Sequence, residues 1–144
     1  MNRPKSIDRF EQFYGAHIVL GLVNSVVALW VMPDARVNEA LAGMGGLVGA
    51  VSGVFIAIAL ATQILLWFLI ARRGNLLAKY VLVALTVLNV LGALFGVVGM
   101  ATGVAGNQPL ALVLSLASSA CLVAAVTMLY RPDALPWFRA SASA

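Results

Sequence analysis

The chain has 144 residues, 62% of them hydrophobic and only 10% charged, with a formal net charge of +4 and a mean hydropathy of +1.01. Ordinary soluble domains carry about 25% charged residues, so a water-soluble fold of this size is excluded and one domain embedded in lipid fits the length. The cationic excess does not point to nucleic acid, because the basic residues sit at the ends of apolar runs and form no patch with polar interleaving.

The leader "IDRFEQFY" places Ile7, Phe10, Phe13 and Tyr14 at helical spacing. It predicts an amphipathic start to the first helix, lying on the inner membrane surface. The first apolar run follows at about 14–32 and ends at Pro33-Asp34. A bilayer crossing needs ~20 residues. The charged leader (Arg3, Lys5, Asp8, Arg9, Glu11) and the lack of a clean A-x-A-like site argue for a retained signal-anchor over a cleaved signal peptide.

The second run lies at about 46–71 and stops at Arg72-Arg73. The apolar stretch before it is broken by Gly43, Gly45 and Gly46, which predicts a short surface helix or loop over about 35–44; one long tilted helix is the alternative. "RRGN", from Arg72 to Asn75, reads as a tight turn. The third run covers about 78–100 and the fourth about 109–130, with "GNQP" between them and Pro109 placed to open the fourth helix. A tail over 131–144, beginning "RPDALPWFR", reads as an interfacial anchor. The runs are too long and too rich in Ala and Leu for strands, and they lack alternation. The expected fold is therefore all-α: an integral membrane, up-down-up-down four-helix bundle with short connections.

Basic residues set the expected orientation. Arg3, Lys5 and Arg9, then Arg72, Arg73 and Lys79, then Arg131 and Arg139 all fall on one side, and only Arg36 falls on the other. The positive-inside rule then puts both termini in the cytoplasm. Phe10, Phe13, Tyr14, Trp67, Phe68, Tyr80, Tyr130, Trp137 and Phe138 cluster at the same ends, where headgroups favour aromatic rings, and Trp30 marks the outer edge.

Two internal patterns stand out. Gly45, Gly49, Gly53, Ala57 and Ala61 recur every fourth residue, and Gly92 and Gly96 form a shorter version on the third helix. Lipid gives helices no hydrophobic reason to associate, so small residues serve by allowing close contact. Such a seam predicts packing within the chain or against a second copy. The other pattern is polar. Asn24, Gln63, Asn89, Ser118 and Ser119 each fall near the middle of a different run or of the last one. At ~1.5 Å per residue they lie near the midplane, where they should face the interior as register-setting hydrogen bonds or as a small polar pocket. His17, the sole histidine, aligns with Gly21 and Asn24 on one helical face.

Apart from Lys79 at the very start of the third, no Asp, Glu, Lys or Arg lies inside a run, although proton-coupled transport commonly needs one. In size and span count the layout resembles small multidrug transporters, whose first-helix carboxylate is absent here. "AVSG", Ala50 to Gly53, resembles an intramembrane serine protease motif only faintly, with Ala50 in place of the initial Gly and no second-helix His to activate Ser52. A lone His and the single cysteine, Cys121, predict neither a metal site nor a disulfide. The charged, aromatic leader and the "RPDA…WF" tail (Arg131, Pro132, Asp133, Ala134, Trp137, Phe138) resemble small four-span bacterial inner-membrane proteins of uncharacterised activity. That resemblance implies location and architecture, and carries no site residue.

The expectation is a multi-pass inner-membrane protein without catalytic groups, metal or cofactor. Its partners are the lipid bilayer and a second copy or another membrane protein, which it engages as a scaffold or accessory subunit through the small-residue seam. A carrier or channel for a small uncharged or amphipathic molecule is the alternative, and a holin-like pore is a third. A cleft beside Asn24 and Asn89 would favour the carrier, whereas a dry interior would favour the scaffold.

Overall fold

A computed structural model describes residues 4–27, 46–103 and 109–142, with side-chain surroundings given for all of these except 46–50 and 139–142. The described chain is helical: α1 (Lys5–Val26), α2 (Gly46–Ala71), α3 (Leu76–Ala101), α4 (Pro109–Met128) and a short α5 (Leu135–Ala142). No strand occurs among the described residues. The expected surface segment over 35–44, Gly45 of the seam, and the turn before Pro109 lie outside them.

Three helices are long and apolar enough to cross a membrane: Val51–Ala71, Leu76–Ala101 and Pro109–Met128. Their outward faces are apolar, as lipid requires. Leu77 is 73% exposed and Phe95 74%, an arrangement that water would penalise heavily. α1 differs because Lys5, Asp8, Arg9 and Glu11 crowd its first turns.

The turn between α2 and α3 shows how the local sequence sets its course. Gly74 takes φ 55, a left-handed conformation that costs a residue with a Cβ ~1–2 kcal/mol. Its N–H and that of Asn75 reach back to the carbonyls of Ile70 and Leu69, at 3.1 and 3.0 Å. Asn75 then caps α3, its Oδ1 accepting from Ala78 N at 3.1 Å. One residue ends a helix and the next begins another.

α1 packs most extensively on α4, α4 also packs on α3, and α2 contacts both α1 and α3. The apolar core is concentrated at one end of this assembly, where Ile7, Phe10 and Tyr14 of α1 meet Leu66 and Ile70 of α2, Leu82 of α3, Leu129 just beyond α4 and Phe138 of α5. Leader and tail both contribute to it. The leader forms the first part of α1, as its helical spacing implies, and Ile7 and Phe10 are fully buried. From the tail, Ala134 and Phe138 enter the same core and Trp137 Nε1 donates to Ile70 O at 3.2 Å. In both segments the apolar face meets the other segment, because the two helix ends are adjacent.

The same adjacency provides a cap that no local sequence could supply. Pro4 precedes α1 and its side chain makes no capping bond. Asp133, from the turn after α4, accepts a hydrogen bond from Ser6 N at 3.1 Å, placing a carboxylate at the positive end of α1. Desolvation pushes the Asp133 carboxyl upward. The Ser6 N–H, the residue's own backbone N–H and Arg131 outweigh that effect, so the group titrates below the usual carboxylate range. Its contribution to stability is thus fully present above the ordinary carboxylate pKa of ~3.9 and is lost as pH falls through the lowered value. Amide protection factors at Ser6 and Ile7 are expected to fall on acidification below about pH 4, and Asp133→Asn should remove that acid-dependent step. Identical pH profiles for the two proteins would show that the cap contributes nothing.

Candidate functional site

Above the apolar end the helices separate around a polar cleft of about 340 Å³. Its polar lining comes from His17, Asn24 and Ser25 of α1, Gln63 of α2, Asn89 of α3, and Ser115 and Ser118 of α4. Ile18, Leu22, Phe55, Ile56 and Leu60 supply apolar wall. Five of the six polar residues singled out by position, His17, Asn24, Gln63, Asn89 and Ser118, therefore line one cleft. The sixth, Ser119, lies next to it, with its hydroxyl 2.6 Å from Asn89 Oδ1 and 2.9 Å from Ser115 O.

His17 and Ser118 close one side. His17 Nδ1 lies 3.0 Å from Ser118 O and 2.8 Å from Ser118 Oγ. A carbonyl only accepts, so Nδ1 carries the ring proton and donates to it. The Ser118 hydroxyl accepts from the same N–H and donates to His17 O at 3.2 Å. This arrangement shares the one Nδ1–H between the Ser118 carbonyl and hydroxyl oxygens and leaves Nε2 as the neutral ring's acceptor. It also means that Nδ1 has no lone pair with which to deprotonate Ser118, so the pair crosslinks α1 to α4 and does not form an activated nucleophile. Gly21 permits the approach, since a Cβ there would stand 3.8 Å from Ser118 Oγ.

Two oxygens in the cleft wall lack partners. Asn24 Oδ1 and Gln63 Oε1 are buried without a hydrogen bond. Tyr14 OH donates at 3.2 Å to the backbone carbonyl of Gln63 and not to its side-chain oxygen. Buried acceptors of this kind are uncommon in folded proteins, because each forfeits its hydration. Among the described residues no group of three or more His, Cys, Asp or Glu side chains comes together to hold a metal ion.

The small-residue seam faces elsewhere. Gly53, Ala57 and Ala61 are exposed on α2. A Cβ added at Gly53 or Gly92 would meet nothing within 4 Å. Gly96 alone of the described seam glycines has a neighbour, Leu112 Cδ1 at 3.6 Å from its ideal Cβ. The surroundings of Gly49 lie outside the described residues, although its backbone belongs to α2. Within one chain, α2 thus turns its small-residue face away from the other helices, and the close contacts fall at Gly21 and Gly96.

Sequence reasoning missed Lys79, counting it only as a flanking cation. Lys79 is buried in the first turn of α3, and its Nζ donates to Leu129 O at 3.0 Å. The ammonium sits 3.9 Å from the centroid of the Tyr130 ring and 4.9 Å from that of Phe138. It caps the negative end of α4. A signal was present: α4 is followed by Arg131-Pro132 with no glycine to terminate it, so its last carbonyls needed an outside donor.

No family model, curated protein or solved structure matches the chain.

Proposed function

We propose that the protein is a carrier or binding protein for a small, uncharged, amphipathic molecule, held in the polar cleft at mid-membrane depth. The cleft itself carries this reading: amide, imidazole and hydroxyl groups from four helices converge on one space of about 340 Å³ with partly apolar walls, a size and lining typical of small-ligand sites. The scaffold reading would be better served by a dry interior. Among the described residues no Asp, Glu, Lys or Arg lines the cleft, which supports an uncharged cargo, since a bare ion there would have no counter-charge. The protonated Nδ1 of His17 supports a non-catalytic role. In this reading α1 is a fourth span, both termini are cytoplasmic, and the host is the bacterial inner membrane. Lys5, Arg9, Arg72, Arg73 and Arg131 at one end of the helices support that orientation.

Proteoliposomes loaded with the full chain are expected to take up small neutral solutes such as acetamide or glycerol faster than protein-free vesicles. Asn24→Leu and Asn89→Leu should each cut that flux by about tenfold, in line with the loss of a hydrogen-bonding group from the cleft lining. A folded protein that moves none of these solutes would eliminate the carrier reading.

A second reading rests on the outward seam. Gly53, Ala57 and Ala61 present a flat, small-residue face to lipid, the kind of surface against which a second α2 can pack closely. Gly53→Leu is expected to shift crosslinked dimers toward monomer without loss of helix. An unchanged crosslinking pattern would leave the seam without a role in assembly.

A further inference from the structure

The polar groups of the cleft lie at two depths. Ser118, which holds His17, is followed by Ser119, which donates to Asn89. Tyr14, one turn before His17, donates to Gln63 O. His17, Gln63 and Asn89 therefore share the floor. Asn24 stands two turns further along α1, about 10 Å above them at the helical rise, too far for one small polar group to touch both levels. What the floor offers follows from what is already used. Gln63 Oε1 is buried in the wall and Asn89 Oδ1 accepts from Ser119, so each amide turns its NH₂ to the cleft. His17 Nδ1 is committed to Ser118, so Nε2 is the acceptor of the floor and its base. Two amide donors and one base thus stand together where, among the described residues, no charged side chain lines the space.

Taking the cleft as a binding site, as proposed above, we infer that its floor recognises the carboxylic acid group of a small amphipathic acid, taken up together with its proton. The acid O–H donates to His17 Nε2, and the two acid oxygens accept from the NH₂ groups of Gln63 and Asn89. Passage of the proton along the first bond breaks O–H, forms N–H and leaves a carboxylate beside an imidazolium, a charge-assisted pair whose charges cancel inside the site. The apolar remainder rises along Ile18 and Leu22 of α1 and Leu60 and Ile56 of α2. A carboxylate arriving without its proton would bring a net charge that nothing in the lining meets. An ester has no hydrogen for Nε2, and a carboxamide makes only neutral bonds there. The groups around His17 are Ser118 from α4, Gln63 from α2, Asn89 from α3 and, on α1 itself, Tyr14, whose ring centroid lies 5.9 Å away. Of these only Tyr14 titrates, and its proton is held on Gln63 O, which makes His17 the proton site of the cleft.

The test uses the full-length chain in lipid nanodiscs, titrated calorimetrically with benzoate, benzamide and methyl benzoate, with empty nanodiscs subtracting partition into lipid. Benzoate is expected to bind saturably with uptake of one proton per site, read from the dependence of the heat on buffer ionisation, and its apparent affinity should fall about tenfold between about pH 6 and pH 7. Benzamide and methyl benzoate should bind at least ~tenfold more weakly at the lower pH, without proton uptake. Gln63→Leu and Asn89→Leu should each weaken benzoate by about tenfold, and His17→Gln, which keeps a polar side chain and loses the base, should abolish the proton uptake, with circular dichroism reporting intact helix. Benzoate binding without proton uptake, benzoate binding indifferent to Gln63→Leu, or benzamide or methyl benzoate binding as tightly as benzoate overturns the acid inference and leaves the binding reading of the cleft to the neutral probes. Saturable binding of none of the three overturns the inference and the binding reading together.

Discussion

Lys79→Ala is expected to lower the stability of the folded chain by about 3 kcal/mol, the sum of a void under two rings, a lost cation–π contact and an unpaired carbonyl. Opposing terms meet at this residue. Taking an ammonium out of water is costly. The structure compensates with Leu129 O at 3.0 Å, the ring of Tyr130 at 3.9 Å and that of Phe138 at 4.9 Å. All three lie at the negative end of α4, which adds the helix dipole to the attraction. The aliphatic stem also packs in the core end of the assembly. Lys79→Met separates these contributions, since it keeps the stem and loses the charge; about 1 kcal/mol is expected, because the charge's desolvation cost is recovered as its contacts are lost. Thermal unfolding in detergent micelles, followed by circular dichroism, measures both. A loss for Met as large as that for Ala would mean that the cation matters more than the space it fills. No loss for Ala would mean that the tail does not depend on Lys79 at all.

The second large effect concerns the cleft. Gly21→Leu places a branched side chain where a Cβ alone would already stand 3.8 Å from Ser118 Oγ. The added atoms must occupy the cleft or push α1 from α4, and close-packed helices resist the latter. Solute flux in proteoliposomes, or probe binding in nanodiscs, is expected to drop by about a hundredfold, a loss equal to roughly 2.7 kcal/mol. Helix content should change little, because glycine is the poorer helix former and Leu gains propensity at that position. Gly21→Ala is the control, since its methyl finds ordinary van der Waals distance and should leave most function intact. A leucine variant with undiminished flux would place the functional path outside the cleft.

Some of this site was legible before any coordinates. Asn24, Gln63, Asn89 and Ser118 announce themselves because polar side chains in the middle of apolar runs must find one another or a ligand. Their depth along each helix follows from a rise per residue that does not vary. What sequence could not supply was the pairing. His17 and Ser118 are 101 positions apart, and nothing local indicates that their rotations about the two helix axes coincide. Nor does sequence say which amide oxygens remain unpaired, since that is a property of the whole set of neighbours.

The seam teaches the converse. Gly45 to Ala61 is the most regular pattern in the chain, and regularity establishes only that one helical face is smooth. Which way that face turns depends on the competing faces of α2. Leu66 and Ile70 enter the core at the end where the leader and tail converge, and this contact leaves Gly53, Ala57 and Ala61 on the outside.

The sequence by itself determined that the chain is helical, that three of its helices are long and apolar enough to cross a membrane, and that Gly74 and Asn75 would turn it, because hydropathy, helical period and backbone preference are local properties. Only the tertiary structure decided that Asp133 caps α1, that Lys79 caps α4, that leader and tail share a core, and that four helices leave a polar cleft between them. Each of these depends on the relative rotation of helices distant in the chain. In lipid no general hydrophobic force sets that rotation, so specific contacts must do so.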